Sequence, residues 1–250
     1  MKKIVINESE LSYRYTPWDE KSFEMETREI LNINYKDENE LSKLIIEFEK
    51  TLKDGTLVYF RSDSNDQTIK KVMILNGYYI AETSMLMKLA RYKKVDFSKI
   101  YKNDLQLENK INDNDILELQ KIAYNSFDYS RFHEDPFLDQ EKARQRYSNW
   151  IVELVKQNKE IFIYRQKGEI ISFLFYDVEN NKANLILGGS KNGYGMMTLY
   201  FFSTIMTYFQ KINIKKLEVM ISASNIGILN TYITFGFTDK KTFFDYHKII

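Results

Sequence analysis

The clearest succession of predicted elements lies in the C-terminal part of the chain, between residues 185 and 237. An apolar run there, typical of a buried strand, leads through a glycine-rich loop into a helical pattern. A second strand and a second helical pattern follow; Ser224-Asn225 opens this helix and Gly236 ends it. The predicted elements are strand 185–187, loop 188–195, helix 196–210, strand 214–221, helix 226–235 and a strand from 237 onward.

The rest of the chain predicts further alternation of helices and strands. Before residue 91 the pattern predicts helix 40–52, strand 56–61, a helix ending at 75 and strand 78–90. From residue 105 onward it predicts strand 105–111, helix 115–127 capped by Asp113 or Asn114, a helix starting at Asp139, and antiparallel strands 161–165, 170–178 and 182–187. The polar composition of 128–136 predicts an exposed loop between the two helices.

The loop at 188–195 contains four glycines in eight positions. Glycine permits tight turns and a close approach of ligand to backbone, and the free amides at a helix start favour a phosphate. The loop does not end in the Gly-Lys-Ser/Thr of a Walker motif, and it does not fit the dinucleotide fingerprint. It therefore predicts an anion-binding turn of another kind, with a flexible connection as the alternative.

The N-terminal elements repeat the order of the C-terminal ones. Laying Ser64-Asn65 on Ser224-Asn225 brings Gly77 within one residue of Gly236. We infer a degenerate internal duplication, with a chance match of strand-helix-strand patterns as the alternative. A lysine-rich segment, 91–103, is the predicted linker, so the expected domains are 1–95 and 103–250.

Composition narrows the classes of function. The chain has 250 residues, of which 44% are hydrophobic, enough to fill a core. A formal net charge of +1 gives no field that would attract nucleic acid or an anionic membrane, so small molecules are the expected partners. The longest apolar run is too short to span a bilayer, and we expect no membrane insertion and a cytoplasmic location. With no cysteine and only two histidines, no metal site is expected.

Two motifs resemble the acetyl-CoA elements of the GCN5-related N-acetyltransferase superfamily. Residues 190–195, Ser-Lys-Asn-Gly-Tyr-Gly, resemble its loop Gln/Arg-x-x-Gly-x-Gly/Ala except at the first position. Residues 225–237, with Asn225, Tyr232 and Gly236-Phe237, resemble its second CoA element. The resemblance covers the chain from Leu105 onward. It implies an α/β fold with a mixed central sheet flanked by helices, preceded by a degenerate copy that lacks the glycine loop.

The resemblance also implies a set of cofactor-binding residues. Backbone amides at the end of the predicted strand would pair with pantetheine and stabilise the thioester oxyanion, while the loop amides would hold the pyrophosphate and Asn225 would bond the cofactor. For Asn225 the alternative is a helix cap alone. The expected acetyl-CoA contacts are Leu185, Ile186, Leu187, Lys191, Asn192, Gly193, Tyr194, Gly195, Met196 and Asn225.

Tyr232 matches the position of the proton-donor tyrosine of that superfamily. A phenol with a pKa near 10 keeps its proton at neutral pH and can give it to a departing thiolate. The alternative is a buried aromatic side chain on the helix face that Tyr232 shares with Ile228 and Leu229.

A narrower resemblance, to the nucleotide-sugar branch typified by TDP-fucosamine acetyltransferase, rests on residues 130–136 and on Pro17-Trp18-Asp19. It implies transfer of an acetyl group to the 4-amino group of a TDP-4-amino-4,6-dideoxyhexose, and it allows a homodimer. Arg131, His133 and Asp135 are the expected acceptor-side residues, Arg131 for the diphosphate and His133 for the amine proton. His133 and Asp135 have purely structural alternatives within the loop.

Two other functions fit the same residues. One keeps the acetyltransferase fold and replaces the sugar by a peptide, polyamine or antibiotic amine. The other is a non-catalytic acyl-CoA-binding protein, which the presence of Tyr232 and of the glycine loop disfavours.

Overall fold

The structure is a computed structural model that describes residues 1–90, 96–97 and 105–250, without the side chains of residues 239 and 240. The predicted linker, 91–103, lies outside the described residues apart from Asp96 and Phe97. The described strands are β1 (Lys2–Ile6), β2 (Ser9–Tyr15), β3 (Thr27–Asn34), β4 (Leu57–Asp63), β5 (Tyr79–Ala90), β6 (Glu160–Gln166), β7 (Glu169–Glu179), β8 (Lys182–Ser190), β9 (Lys216–Ser222) and β10 (Asp239–Ile249). The described helices are α1 (Pro17–Phe23), α2 (Glu38–Glu49), α3 (Gln67–Leu75), α4 (Asp113–Ser126), α5 (Gln140–Lys156), α6 (Gly195–Lys211) and α7 (Ile226–Thr234).

The described residues form two compact units that interleave along the sequence. The first contains Met1–Ser84, Ser130–Arg146 and Thr242–Ile250; the second contains Met85–Tyr129 and Tyr147–Lys241. This differs from the single division predicted at 95–103, because two later segments return to the first unit. β10 returns there because it pairs along β4.

In the first unit the strands follow the order β1-β2-β3-β4-β10-β5. β3 and β4 are parallel, whereas β1-β2, β2-β3 and β4-β10 are antiparallel. Helices α2 and α3 bury their apolar faces in one core with the alternate residues of the sheet, as period-2 alternation requires. That core contains Leu41, Leu44, Phe48, Val58, Phe60, Val72 and Tyr246.

In the second unit the order is β5-β9-β8-β7-β6, with β8 and β9 parallel and the β6-β7-β8 meander antiparallel. The predicted turns at 167–168 and 180–181 join the meander strands, and each has residues with positive φ. The core that contains α6 is dominated by aromatic side chains, among them Phe201, Phe209 and Phe235. A separate core lies beneath α4 and α5.

The two units share one local topology. In each, a parallel strand pair is connected through a helix, β3-α2-β4 in the first and β8-α6-β9 in the second, and a helix and a strand follow. The predicted duplication was based on the last four elements of this order, a helix, a strand, a helix and a strand. The prediction that the first copy is a degenerate acetyltransferase-like domain stays a prediction.

Three local predictions need correction. The strand predicted at 105–111 is a single antiparallel bridge between Glu108 and Ile163. Helix α4 starts at Asp113 because the Asn112 side chain caps it and Asp115 closes a capping box. The N-terminal elements β1, β2, α1 and β3 were not predicted, since their sequence mixes polar and aromatic residues without a clear period. No helix in the described ranges is long and apolar enough to cross a membrane.

Candidate acyl-CoA site and the polar face of the first unit

The parallel strands β8 and β9 are paired along only part of their length. The ladder joins Lys182–Leu185 to Lys216–Val219 and then stops. Ile186 is the extra residue of a β-bulge, since Leu185 pairs with Tyr176 and Leu187 with Phe175 on β7. Beyond the bulge, β8 pairs only with β7 among the described strands. Backbone groups on its other edge are therefore available to an extended ligand that adds on like a strand.

The glycine loop leads from this edge into α6. Gly193 has φ +87°, which favours glycine, and a Cβ atom added at Gly193 or Gly195 would meet nothing within 4 Å. Tyr194 is the N-cap residue and makes no side-chain capping bond, and the first turn contains no acidic residue. The start of a 17-residue helix thus presents uncapped amides and the positive end of its dipole to open space, and Met196 is exposed there.

Side chains of the loop are tied to neighbouring elements. Lys191 Nζ donates to Glu169 Oε2 at 2.6 Å, and this hydrogen bond raises the pKa of Lys191 and lowers the pKa of Glu169. Asn192 donates to the Asn125 carbonyl at 3.1 Å and accepts from Ser126 at 3.3 Å. The loop is thereby fixed to the end of α4. Because Glu169 offsets the charge of Lys191, backbone amides are the main attraction for an anion.

The two predicted residues of the second motif lie on α7. Asn225 Oδ1 accepts from Ile228 N at 3.1 Å, so this side chain is a helix cap. Tyr232 is buried between Phe202 and Phe237, with ring centroids 5.4 and 4.8 Å away. Burial raises its pKa, and none of the described residues makes a hydrogen bond with its hydroxyl. The phenol therefore keeps its proton at physiological pH, and this proton is not committed to a bond within the protein.

The loop predicted to be exposed is buried at four of its positions, whereas Asp128, Tyr129 and Pro136 are exposed. Ser130, Phe132, His133 and Asp135 are all buried in the first unit, whereas the predicted division assigns them to the second domain. Such burial is possible because the polar groups find partners: His133 Nδ1 and Ser130 Oγ share a 2.8 Å hydrogen bond.

Asp135 is fully buried and accepts three hydrogen bonds. The donors are the Tyr79 hydroxyl at 2.8 Å, His247 Nδ1 at 2.7 Å and the Phe137 amide at 2.8 Å. Burial lowers the pKa of His247, so the imidazole is neutral and Nδ1 is the donor. This geometry gives Asp135 a structural role, holding the loop to β10 and β5, and does not support direct contact with an acceptor.

Of the three predicted acceptor-side residues, only Arg131 is partly exposed. Its guanidinium lies over the Tyr59 ring, 4.4 Å from the centroid, and 5.2 Å from that of Phe132. Its nearest carboxylate oxygens are on Asp245 and Glu29, at 3.7 and 3.8 Å, outside hydrogen-bond distance. The predicted anion-binding role is therefore sterically possible for Arg131.

No protein-family model matches this sequence, and no curated protein matches it. Solved structures match along most of the chain. A GCN5-related N-acetyltransferase from Sphaerobacter thermophilus is similar over 96% of this chain and 76% of its own, with TM-score 0.64 and 10% identity. Another, from Kribbella flavida, is similar over 99% and 89%, with TM-score 0.61 and 10% identity. A tandem GNAT protein from the clavulanic acid biosynthesis pathway is similar over 89% and 74%, with TM-score 0.58 and 8% identity.

These likenesses show the fold. The chain has the mixed α/β fold of the GCN5-related N-acetyltransferases, as predicted from residues 185–237.

Proposed function

We propose that the protein is an N-acetyltransferase that binds acetyl-CoA in its second unit and transfers the acetyl group to a small-molecule amine. The observation that carries this proposal is the unpaired edge of β8 beside the uncapped start of α6. An extended pantetheine arm can pair with the free edge of β8, and a pyrophosphate can bind the backbone amides at the start of α6.

In the proposed reaction the amine nitrogen attacks the thioester carbonyl, so a C–N bond forms and the C–S bond breaks. Backbone amides of β8 near Leu187 would stabilise the oxyanion that develops on the carbonyl. The departing thiolate would take the Tyr232 proton, which burial retains and no described residue binds. The amine must also lose one proton to a base or to water.

The corresponding position in the first unit is unsuited to the donor. Helix α2 is capped by Asp37 and has Glu38 and Glu40 in its first turn, so carboxylates stand where a pyrophosphate would bind. Beyond the last β3-β4 pair, the Tyr35 hydroxyl donates to Asp66, the N-cap of α3, at 2.9 Å. This bond joins the end of β3 to the start of α3. Only the second unit is proposed to bind acetyl-CoA.

For the acceptor we propose a TDP-4-amino-4,6-dideoxyhexose, on the resemblance carried by residues 130–136. The hydrogen-bond donors of Arg131 support it, since a guanidinium can pair bidentately with a diphosphate. The acidic residues near Arg131 favour an amine-bearing ligand over a purely anionic one.

Two measurements test the proposal. Calorimetry with acetyl-CoA should give one site per chain. Thiol release should then be followed with dTDP-4-amino-4,6-dideoxygalactose, a polyamine and an amino-terminal peptide as separate acceptors. Absence of acetyl-CoA binding would overturn the acetyltransferase proposal. Release with the polyamine or the peptide, and none with the nucleotide sugar, would replace the acceptor only.

A further inference from the structure

One face of the first unit's sheet carries a group of polar side chains beside a small apolar cluster that contains Leu57 and Phe132. Strand registers place Glu29 beside Tyr59, Arg61 beside Asp245 and Tyr59 beside His247, and Glu82 and Ser84 extend the set on β5. We call these seven residues the polar face. The segment Ser130–Arg146 packs on it through Phe132, whose ring lies 5.7 Å from that of Tyr59.

Most charges in and around the polar face are paired at close range. Arg14 Nε donates to Glu29 at 2.7 Å, Arg61 Nε to Asp245 at 2.8 Å, and Arg146 to Asp19. Asp245 also accepts from Ser84 Oγ at 2.7 Å. With these pairs formed, two ionisable groups of opposite sign are left without a hydrogen bond: Arg131 and Glu82.

Glu82 is the more unusual of the two. It is 6% exposed, and no described residue donates a hydrogen bond to its carboxyl group; the nearest cation, Arg61, lies 3.8 Å away. Burial and the neighbouring Asp245 carboxylate raise its pKa to about 7. The Glu82 oxygens are not among the fully buried side-chain atoms that lack a partner, so a donor from outside the chain can reach this carboxyl group.

Arg131 is the positively charged counterpart of Glu82 in this group. The Tyr59 ring covers one flat side of the guanidinium, but its N–H groups make no hydrogen bond within 3.5 Å to the described residues. The side chain is 21% exposed, so a ligand can reach it. The two groups belong to one network: Arg61 approaches Glu82 and binds Asp245, whose other neighbour is Arg131.

We propose that the polar face binds a small molecule bearing a primary ammonium group, which donates to Glu82, and a phosphate or carboxylate group, which accepts from Arg131. The inference concerns the first unit alone and does not depend on the proposed function. It names the ligand class, an amine that also carries an acidic group, and it gives Glu82 a role in holding that amine.

Proton release on binding distinguishes this role from a structural one. Near pH 7 the Glu82 carboxyl, faced by Arg61, Asp245, Arg131 and Glu134, is partly protonated. An arriving ammonium group stabilises the ionised form, so binding should release a fraction of a proton. The heat of binding should then depend on the ionisation enthalpy of the buffer.

The experiment is calorimetry on the full chain at pH 7 in two buffers of different ionisation enthalpy. The probes are dTDP-4-amino-4,6-dideoxygalactose, its 4-hydroxyl counterpart dTDP-6-deoxygalactose, and O-phosphoethanolamine. The amine compounds should bind with buffer-dependent heat, and the hydroxyl counterpart about tenfold or more weakly, as expected for loss of a charged hydrogen bond.

Glu82→Gln should remove both the preference for the amine and the buffer dependence, while Arg131→Gln should weaken all three probes. The control is Glu49→Gln, which breaks an ion pair with Lys248 elsewhere in the same unit and should change neither property. Equal binding of amine and hydroxyl compounds, unaltered binding by the Glu82 variant, or no binding of either amine would overturn the inference. Acetyl-CoA affinity, measured in parallel, reports on the proposed function separately.

Discussion

At the scale of single residues, Tyr232 has the simplest proposed role. Its hydroxyl is the proposed proton donor, and its ring packs in the core of the second unit. Tyr232→Phe keeps the ring and removes the proton. We expect turnover to fall about 10²-fold with the acetyl-CoA dissociation constant unchanged, in steady-state kinetics paired with calorimetry.

Tyr176→Phe is a matched control, because Tyr176 is buried in the same core and burial also raises its pKa. It should leave turnover unchanged. Equal losses in the two variants would make Tyr232 a packing residue.

Asp135 predicts a loss of stability. Asp135→Ala leaves the buried His247 and two further donors without their acceptor. We expect the free energy of unfolding to fall by about 3 kcal/mol in urea titrations followed by circular dichroism. Asp54→Ala, in an exposed turn, should stay within about 0.5 kcal/mol of the parent. If Asp135→Ala lowered the free energy of unfolding by no more than Asp54→Ala does, Asp135 would not anchor the loop.

Replacing Glu82 by glutamine should increase the free energy of unfolding by an amount that depends on pH. The pKa of Glu82 in the folded chain, about 7, lies above the ordinary 4.5, so Glu82 does not destabilise the fold below pH 4.5 and destabilises it increasingly as the pH rises through 7. Glu82→Gln cannot ionise. We therefore expect the variant to gain up to about 3 kcal/mol over the parent between pH 5 and pH 8, measured by urea unfolding without ligand. Parallel pH profiles for the two proteins would refute the raised pKa.

At the scale of elements, the turn between β8 and α6 predicts a binding defect. In the double variant Gly193→Val, Gly195→Val the new side chains project into open space that the pyrophosphate should fill. We expect the acetyl-CoA dissociation constant to rise at least tenfold by calorimetry.

Gly168→Val is the control for backbone strain. Gly168 has φ +86°, close to the +87° of Gly193, and it too has nothing near an added Cβ. Gly168→Val should affect folding to the same extent as Gly193→Val, but its affinity for acetyl-CoA should equal that of the parent. Normal affinity in the folded double variant would remove the loop from the donor site.

At the scale of the whole molecule, the interleaved units make a prediction about fragments. A chain of residues 1–95 lacks Ser130–Arg146 and also lacks β10, which lies between β4 and β5 and supplies the buried Tyr246. Because β4 and β5 would each lose a hydrogen-bonded neighbour, we expect this fragment to be unfolded by circular dichroism and amide NMR dispersion. Cooperative unfolding of the isolated fragment would instead favour the division at the linker.

Features that depend on local order could be predicted from the amino-acid sequence. Helix α6 follows from its apolar period, the turn before it from glycine, and the caps of α5 and α7 from Asp139 and Asn225. The acetyltransferase fold was predicted from the resemblance of residues 190–195 and 225–237 to family motifs, each of which is a short contiguous segment. Such features can be predicted from sequence because each depends on residues only a few positions apart.

Contacts between residues far apart in the sequence could not be predicted in this way. Asp245 faces Arg61 because β10 pairs with β4 across 184 positions, and side-chain contacts bring Ser84 of β5 to Asp245 and Glu82 to Arg61. Residues 128–136 look like a solvent-exposed loop, yet Asp135 is buried because Tyr79 and His247 supply donors from other strands. Burial of a polar side chain depends on partners that long-range pairing brings to it, and no local period encodes that pairing.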